Sequence, residues 1–235
     1  MCTVTFIPIA NSVFLTSNRD ESPSRRASGL TSFHAPDKNV IHYPLDADSG
    51  GTWIAYSDSG RIVCLLNGAF EPFKPDPPYR QSRGQVVIEA ASEPEIDLFL
   101  QEYSFHRIAP FTLLIYEQDR FKQLTWDGEN KHLKFLSAKE PQIWSSVTLY
   151  SPEVRAWRKS LFEKWLAGKT NFDREEIMQF HQMTHGLPGN DFVMNRNEVV
   201  KTLSITSIVL NEKSGSLLHV ELDTNVREEI FVRYD

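Results

Sequence analysis

The sequence predicts an α+β fold, two antiparallel sheets packed together with helices outside them, and three observations predict it. Candidate elements come in blocks (strands, helices, strands, helices, strands) rather than in the alternation that builds a parallel sheet. Ile62, Val63, Cys64, Leu65 and Leu66 form an unbroken apolar run, the pattern of a strand covered on both faces. The chain is 40% hydrophobic and 11% aromatic, enough to provide that cover. No repeat or low-complexity segment divides it, so a single domain over residues 1–235 is expected.

Residues 3–8 and 13–17 read as a hairpin, rich in β-branched and aromatic side chains, with Ala10, Asn11 and Ser12 as its turn. Paired positions would sum to 21 or 22, which sets Cys2 opposite Arg19 or Asp20. Residues 22–48 are polar and interrupted by Pro23, Pro36 and Pro44, and are expected to wrap the surface with at most one short strand. Strands over 53–56 and 61–67 flank a turn at Asp58-Ser59-Gly60. Residues 70–80 hold Pro72, Pro75, Pro77 and Pro78 and fit neither a helix nor a central strand, leaving a surface loop or a pocket wall.

Helices are predicted over 85–91 and 92–103, the second opened by Ser92, Pro94 and Glu95. Strands over 111–117, 121–126, 132–136 and 142–146 read as one antiparallel meander. A helix starts at Ser151-Pro152 and stops at Gly168; another runs from Asp173 to Thr184, ahead of Gly186-Leu187-Pro188-Gly189. Strands over 199–210, 216–222 and 229–234 close the chain.

Composition excludes several classes. The net charge of -6 is spread among interspersed acids and bases, so no nucleic-acid partner is expected. Two cysteines make no disulfide framework, and Cys64 reads as a small buried hydrophobe. Neither a signal peptide nor a membrane span is expected, which makes a cytoplasmic setting the default. His181 and His185 have metal-ligand spacing, but Gln182 stands where a zincin has Glu and no third ligand follows. No phosphate loop, dinucleotide fingerprint or nucleophile elbow is present, so neither metal nor cofactor is expected.

Cys2 is the candidate to carry chemistry. Removal of Met1 before so small a residue would leave Cys2 with a free α-amine, whose pKa of about 7.7–8.0 suits it as base to a thiol of about 8.5. Arg19 alongside would favour thiolate, and Asp20 would orient the amine or Arg19. The same two residues would equally serve as an ion pair tying down the hairpin end.

Met1-Cys2, Asn18-Arg19-Asp20-Glu21, Gly50-Gly51-Thr52-Trp53, a strand ending at Asn67, and Ser82-Arg83-Gly84 resemble, in that order, the N-R-D-E family, also called the transport-and-Golgi-organisation family. Residues 190–196 (NDFVMNR) and 201–207 (KTLSITS) are similar to its bacterial branch. That family is similar to N-terminal-nucleophile hydrolases, particularly the cholylglycine and penicillin V amidase group. The resemblance implies a four-layer αββα sandwich and cleavage of a linear amide by an N-terminal Cys. Carried over by motif, Cys2 is the nucleophile, Arg19 and Asp20 attend it, Asn67 is an oxyanion donor and Arg196 a late Arg of the site. The second oxyanion Asn falls where this chain has Ser145-Ser146, so Ser146 would stand in for it; a lost oxyanion donor costs about 10²–10³ in rate.

The expected function is therefore a hydrolase or acyltransferase acting on a small-molecule amide or related acyl substrate, in a fold compatible with a homo-oligomer. The alternative is a non-catalytic binding or trafficking protein of the same fold, handling lipid, acyl-CoA or haem as the resemblance to eukaryotic relatives implies.

Overall fold

A computed structural model describes residues 3–169 and 171–234. Two compact units make up the chain, one from Met1–Arg26 with Lys139–Asp235 and the other from Ala27–Ala138. Each is built on an antiparallel sheet of seven strands. The α+β class with two antiparallel sheets holds.

The first unit contains β1 (Thr3–Ile9), β2 (Ser12–Glu21), β10 (Gln142–Ser145), β11 (Asn195–Arg196), β12 (Val200–Asn211), β13 (Ser214–Glu221) and β14 (Arg227–Arg233). Its order is β10-β1-β2-β12-β13-β14, with β11 on β12. The β1–β2 register runs from Thr3↔Asn18 to Ile9↔Ser12, a constant sum of 21. β2 extends past the expected end through Asn18, Arg19 and Asp20. Those residues have poor strand propensity, but β12 pairs along the second edge of β2, and a ladder on both sides overrides the local preference. A register shift between Thr202 and Ser204 marks a bulge opposite Arg19 and Asp20.

Strand alternation sorts the β2 side chains: Phe14, Thr16, Asn18 and Asp20 share one face, Leu15, Ser17 and Arg19 the other. Over the first face lie α3 (Pro152–Leu166) and α4 (Arg174–Phe180). Their core joins Ile7 and Phe14 to Phe162, Phe172, Phe180 and Phe192. Ser151 caps α3 with Pro152 in its first turn, and Asp173 with Glu176 closes a full capping box on α4, as expected. α4 stops at Phe180 rather than Thr184, with His181 as its C-cap, still αR and donating its N–H to the Ile177 carbonyl at 3.1 Å.

The expected four-stranded meander is corrected. Only β7 (Phe111–Glu117), β8 (Arg120–Trp126) and β9 (Lys131–Leu136) form it; β10 pairs with β1 in the other sheet. β9 is an exposed edge strand, and Pro141, which donates no ladder bond, separates it from β10.

The second unit has the order β3-β4-β5-β6-β7-β8-β9, with β3 (Ala27–His34), β4 (Val40–Asp46), β5 (Ile54–Ser57) and β6 (Ile62–Asn67). Residues 22–48 thus hold two strands instead of a surface wrap. Small and polar residues hid β3, an edge strand, and Pro44 is tolerated because β4 pairs with β5 only at Ile41 and His42. Cys64 on β6 is fully buried. The helices are α1 (Arg83–Ser92) and α2 (Ile96–Glu102). Ser92 does not open α2: its hydroxyl donates to the Ile88 carbonyl and ends α1.

The glycines of Gly50-Gly51-Thr52-Trp53 and Ser82-Arg83-Gly84 explain each other. A Cβ on Gly51 would lie 2.5 Å from the Gly84 carbonyl carbon, and one on Gly84 would lie 2.8 Å from the Thr52 nitrogen. Backbone meets backbone there, with Thr52 N–H donating to the Gly84 carbonyl at 3.2 Å. Ser82 caps α1 at this contact, and Gln85 Nε2 donates to the Gly50 carbonyl at 2.6 Å. Gly84→Ala is expected to lower unfolding stability by about 1–3 kcal/mol, the usual range for overpacking. Urea denaturation reads this directly, and an unchanged midpoint would mean the two backbones stand further apart.

Candidate active site

Five of the six residues singled out in the sequence fall within the described structure; Cys2 lies outside the described residues. Thr3, the residue after Cys2, pairs with Asn18, the residue before Arg19. Arg19 and Asp20 are almost fully buried, at 1% and 2% exposure. Asp20 accepts two hydroxyl hydrogen bonds, from Tyr150 and from Thr202 Oγ1, both at 2.6 Å. Arg19 donates to the Arg25 carbonyl.

Tyr150 draws the polar groups of this unit together. Its hydroxyl reaches Asp20, its backbone N–H donates to the Ser146 carbonyl at 3.1 Å, and its ring lies 5.3 Å from the Arg196 guanidinium carbon. Another guanidinium, that of Arg158 on α3, lies 3.7 Å from the same ring centre. The structure thus gathers Asp20, Ser146 and Arg196 around one tyrosine.

Arg158 is fully buried, and its acceptors are neutral: Thr3 Oγ1 and the carbonyls of Asn190 and Asp191. Arg196 also bonds only neutral oxygens, the carbonyls of Gly189 and Leu149 and Asn190 Oδ1. Among the described residues neither forms an ion pair. Sequence reasoning missed Arg158 and Tyr150. The available signal was the spacing Arg158, Phe162, Trp165, which sets an arginine in the apolar stripe of α3.

Ser146 is 1% exposed, and its hydroxyl lies 3.0 Å from Thr148 Oγ1. Asn67, in the other unit, is the last residue of β6, opposite Phe111 and ahead of Gly68 at φ +88°. Arg83 donates to the Pro110 carbonyl at 3.2 Å.

His181 and His185 do not converge. His181 is fully buried, with Nε2 2.7 Å from Thr5 Oγ1 and Nδ1 against Asn18 Oδ1. Asn18 Nδ2 already serves the carbonyls of His181 and Phe192, so its oxygen must accept and His181 Nδ1 carries the proton. His185 instead turns toward Asp191, whose carboxylate accepts the backbone N–H groups of His185 and Leu187 at 2.8 and 3.0 Å. In the second unit His42 bridges Ser32 Oγ at 2.8 Å and Asp58 Oδ1 at 2.7 Å, fastening edge strand β3 to the β5–β6 turn.

Burial, helped by the nearby charge of Arg158, pushes the His181 pKa down to about 3 from 6.5. The unfolded chain therefore takes up a proton near pH 6.5 that the folded protein refuses until near pH 3. Folding stability is expected to fall as pH drops through that window, by at most about 1.4 kcal/mol per pH unit. A His181→Gln variant should be less stable at pH 7 yet show a flatter slope between pH 6 and 4 in urea melts. Parallel slopes for the two proteins would sink this assignment.

No curated protein sequence matches the chain. A cysteine-to-alanine mutant of conjugated bile acid hydrolase from Clostridium perfringens is similar over 100% of this chain and 97% of its own, at TM-score 0.52 and 9% identity. An arginine-to-leucine variant of the same hydrolase gives 0.54 and 8% over the same coverage. A Caenorhabditis elegans N-acylethanolamine-hydrolyzing acid amidase ortholog is similar over 88% of this chain and 92% of its own, at 0.53 and 11%. These likenesses show the fold of N-terminal-nucleophile hydrolases. A family model for transport and Golgi organisation 2 matches residues 1–233. The chain belongs to the transport and Golgi organisation 2 family.

Proposed function

We propose that this protein is an N-terminal cysteine hydrolase or acyltransferase acting on a linear amide or related acyl bond of a small molecule. The observation that carries the reading is the concentration of buried charge at the N-terminal end of β1. Arg19 and Asp20 follow the partner of Thr3 in the ladder, and the guanidinium of Arg158 is bonded to Thr3 itself, one residue from Cys2. Burying such groups is costly without partners and common where chemistry needs them.

In the proposed reaction Met1 is first removed. The α-amine of Cys2 takes the thiol proton, and sulfur adds to the carbonyl carbon. The C–N bond then breaks, the proton passes to the departing amine, and a thioester remains. Water, or an acceptor amine or alcohol, attacks that thioester and restores the thiol. Arg19 favours thiolate, Asp20 fixes the orientation of its neighbours, Arg196 contributes positive charge, and Asn67 and Ser146 take the oxyanion roles that the resemblance assigns. The amide hydrolases among the structural neighbours support this reaction class.

A second reading, a binding protein of the same fold, is favoured by Ser146. Its hydroxyl is engaged with Thr148 and is a weaker oxyanion donor than an amide. That reading requires no free α-amine at Cys2. The setting is compatible with either: among the described residues no helix is long and apolar enough to cross a membrane.

Intact mass is expected to show Met1 absent, and an acyl-transferring thiol probe should modify Cys2 and spare the buried Cys64. Cys2→Ala should remove both the labelling and any turnover, whereas Cys64→Ala should leave labelling intact. A mature protein that keeps Met1, or turnover that survives Cys2→Ala, would sink the catalytic reading. Asp20→Ala, which removes an acceptor shared by two buried hydroxyls, should destabilise by about 1–3 kcal/mol in urea melts, and Asp20→Asn by less.

A further inference from the structure

The unit Ala27–Ala138 holds a cavity of about 730 Å³ between β3 and β4 on one side and α1 and α2 on the other. It plays no part in the chemistry proposed above. Four aromatic rings line it, those of Phe33, Tyr43, Phe99 and Tyr103. Three acids also line it, Asp37, Glu89 and Glu93, and no lysine, arginine or histidine does. The size is that of an ordinary small-molecule site, and apolar walls with a few polar groups are its usual composition.

Two polar atoms in the lining side chains lack protein partners. Tyr43 is 8% exposed, yet its hydroxyl makes no hydrogen bond to any described residue. Glu89 receives the Tyr103 hydroxyl at 2.6 Å and Gln81 Nε2 at 3.0 Å, both on Oε2. Its Oε1 accepts from no described residue. Both atoms are open to solvent, so a ligand entering the cavity can reach them, and one that covers them must supply partners of its own.

We propose that this cavity binds an organic cation, an ammonium head carried on an aromatic or aliphatic body. An anion is disfavoured, because the walls present carboxylates and no positive side chain. A neutral apolar ligand would leave Glu89 Oε1 and the Tyr43 hydroxyl unmet. An ammonium group donates to Glu89 Oε1 and to the Tyr43 oxygen, and ring faces attract its charge while the walls bury its body. Arg80 already shows that chemistry: its guanidinium carbon lies 5.4 Å from the Tyr103 ring centre, leaving Phe33, Tyr43 and Phe99 for the ligand.

The test uses three probes with one phenyl body and different heads: phenethylamine, 2-phenylethanol and 3-phenylpropanoate. Each is titrated into the full-length protein while the Ile88 methyl and the Phe99 ring, both in the cavity wall, are followed by NMR. The amine should give saturable shifts at both and bind about tenfold tighter than the alcohol, the usual gain from one charge-assisted hydrogen bond. The propanoate should bind weakest. Glu89→Gln, which keeps an acceptor for Tyr103, should bring the amine to the level of the alcohol and leave the alcohol unchanged. Tyr43→Phe, which cannot disturb that contact, should weaken the amine alone, and Ile88→Trp should exclude all three probes. Equal binding of amine and alcohol, shifts that bypass Ile88 and Phe99, or undiminished amine binding in both the Glu89 and Tyr43 variants would each overturn the proposal. Failure here leaves the Cys2 chemistry untouched, since no residue is shared.

Discussion

A buried guanidinium with no carboxylate to meet must be surrounded by oxygen atoms, and Arg158 imposes that requirement on everything near it. Its side chain cannot lose its charge. The oxygens come from two separate pieces of chain: the hydroxyl of Thr3 on β1 and the carbonyls of Asn190 and Asp191 in the segment after α4. Tyr150 and Phe192 complete the shell with ring faces at 3.7 and 5.3 Å. An ion pair would have cancelled the charge locally. Spread over neutral groups, it stays available as a field, and at His181, whose pKa burial already lowers, that field adds to the depression. The carboxylate of Asp191 points elsewhere, capping the turn at His185 and Leu187, so its backbone and side chain serve two different ends of the same segment.

The sheet around this arginine is polar where such a sheet would ordinarily be aliphatic. Thr3, Thr5, Thr16, Asn18 and Asp20 are all buried on the face that carries α3 and α4, beside an aromatic cluster at the other end of the same strands. Each finds a partner on another element: Arg158, His181, Ser207, Tyr150 or Thr202. Hydrogen bonds of this kind add little net stability over their solvated state but lose a great deal when broken. They therefore specify register more than they hold the fold. The aromatic end supplies adhesion, and the polar end settles which residue lies opposite which.

Much of this was legible in the sequence, and the illegible parts share a cause. The opening hairpin and its register followed from β-branched runs around a short turn, and the buried state of Cys64 from an apolar run with no gaps. Ser151-Pro152 and the Asp173–Glu176 box announced two helix starts through local capping chemistry. The functions of Gly51 and Gly84 could not be read separately, because each glycine is needed only where the other one is. The place of Arg158 in the apolar stripe of α3 marks it as unusual, but nothing local reveals the acceptors contributed by Thr3 and Asp191. β10 reads as the fourth strand of a meander because proximity in sequence is the ordinary guide to pairing, and a proline before it was the sole hint that it would leave. Asn67, Ser146 and Arg196 came from motif resemblance, and Tyr150, which ties two of their neighbourhoods together, lies in no motif at all.

The first unit is made from the two ends of the chain, with the whole of Ala27–Ala138 between them. During synthesis on the ribosome, β1 and β2 emerge before the insert and pair with each other, but the second edge of β2 has to wait for β12, made only after the whole of Ala27–Ala138. Through that interval a strand bearing Asn18, Arg19 and Asp20 presents open backbone groups, the kind of edge that invites pairing with the wrong chain. Closure over so long a loop is also slow. The second unit meets no such delay, since each of its strands pairs with the one made just before it. The nascent protein is thus an early-folding insert carried by a late-folding host, and of the candidate site residues only Asn67 belongs to the insert, the others to the part that finishes last.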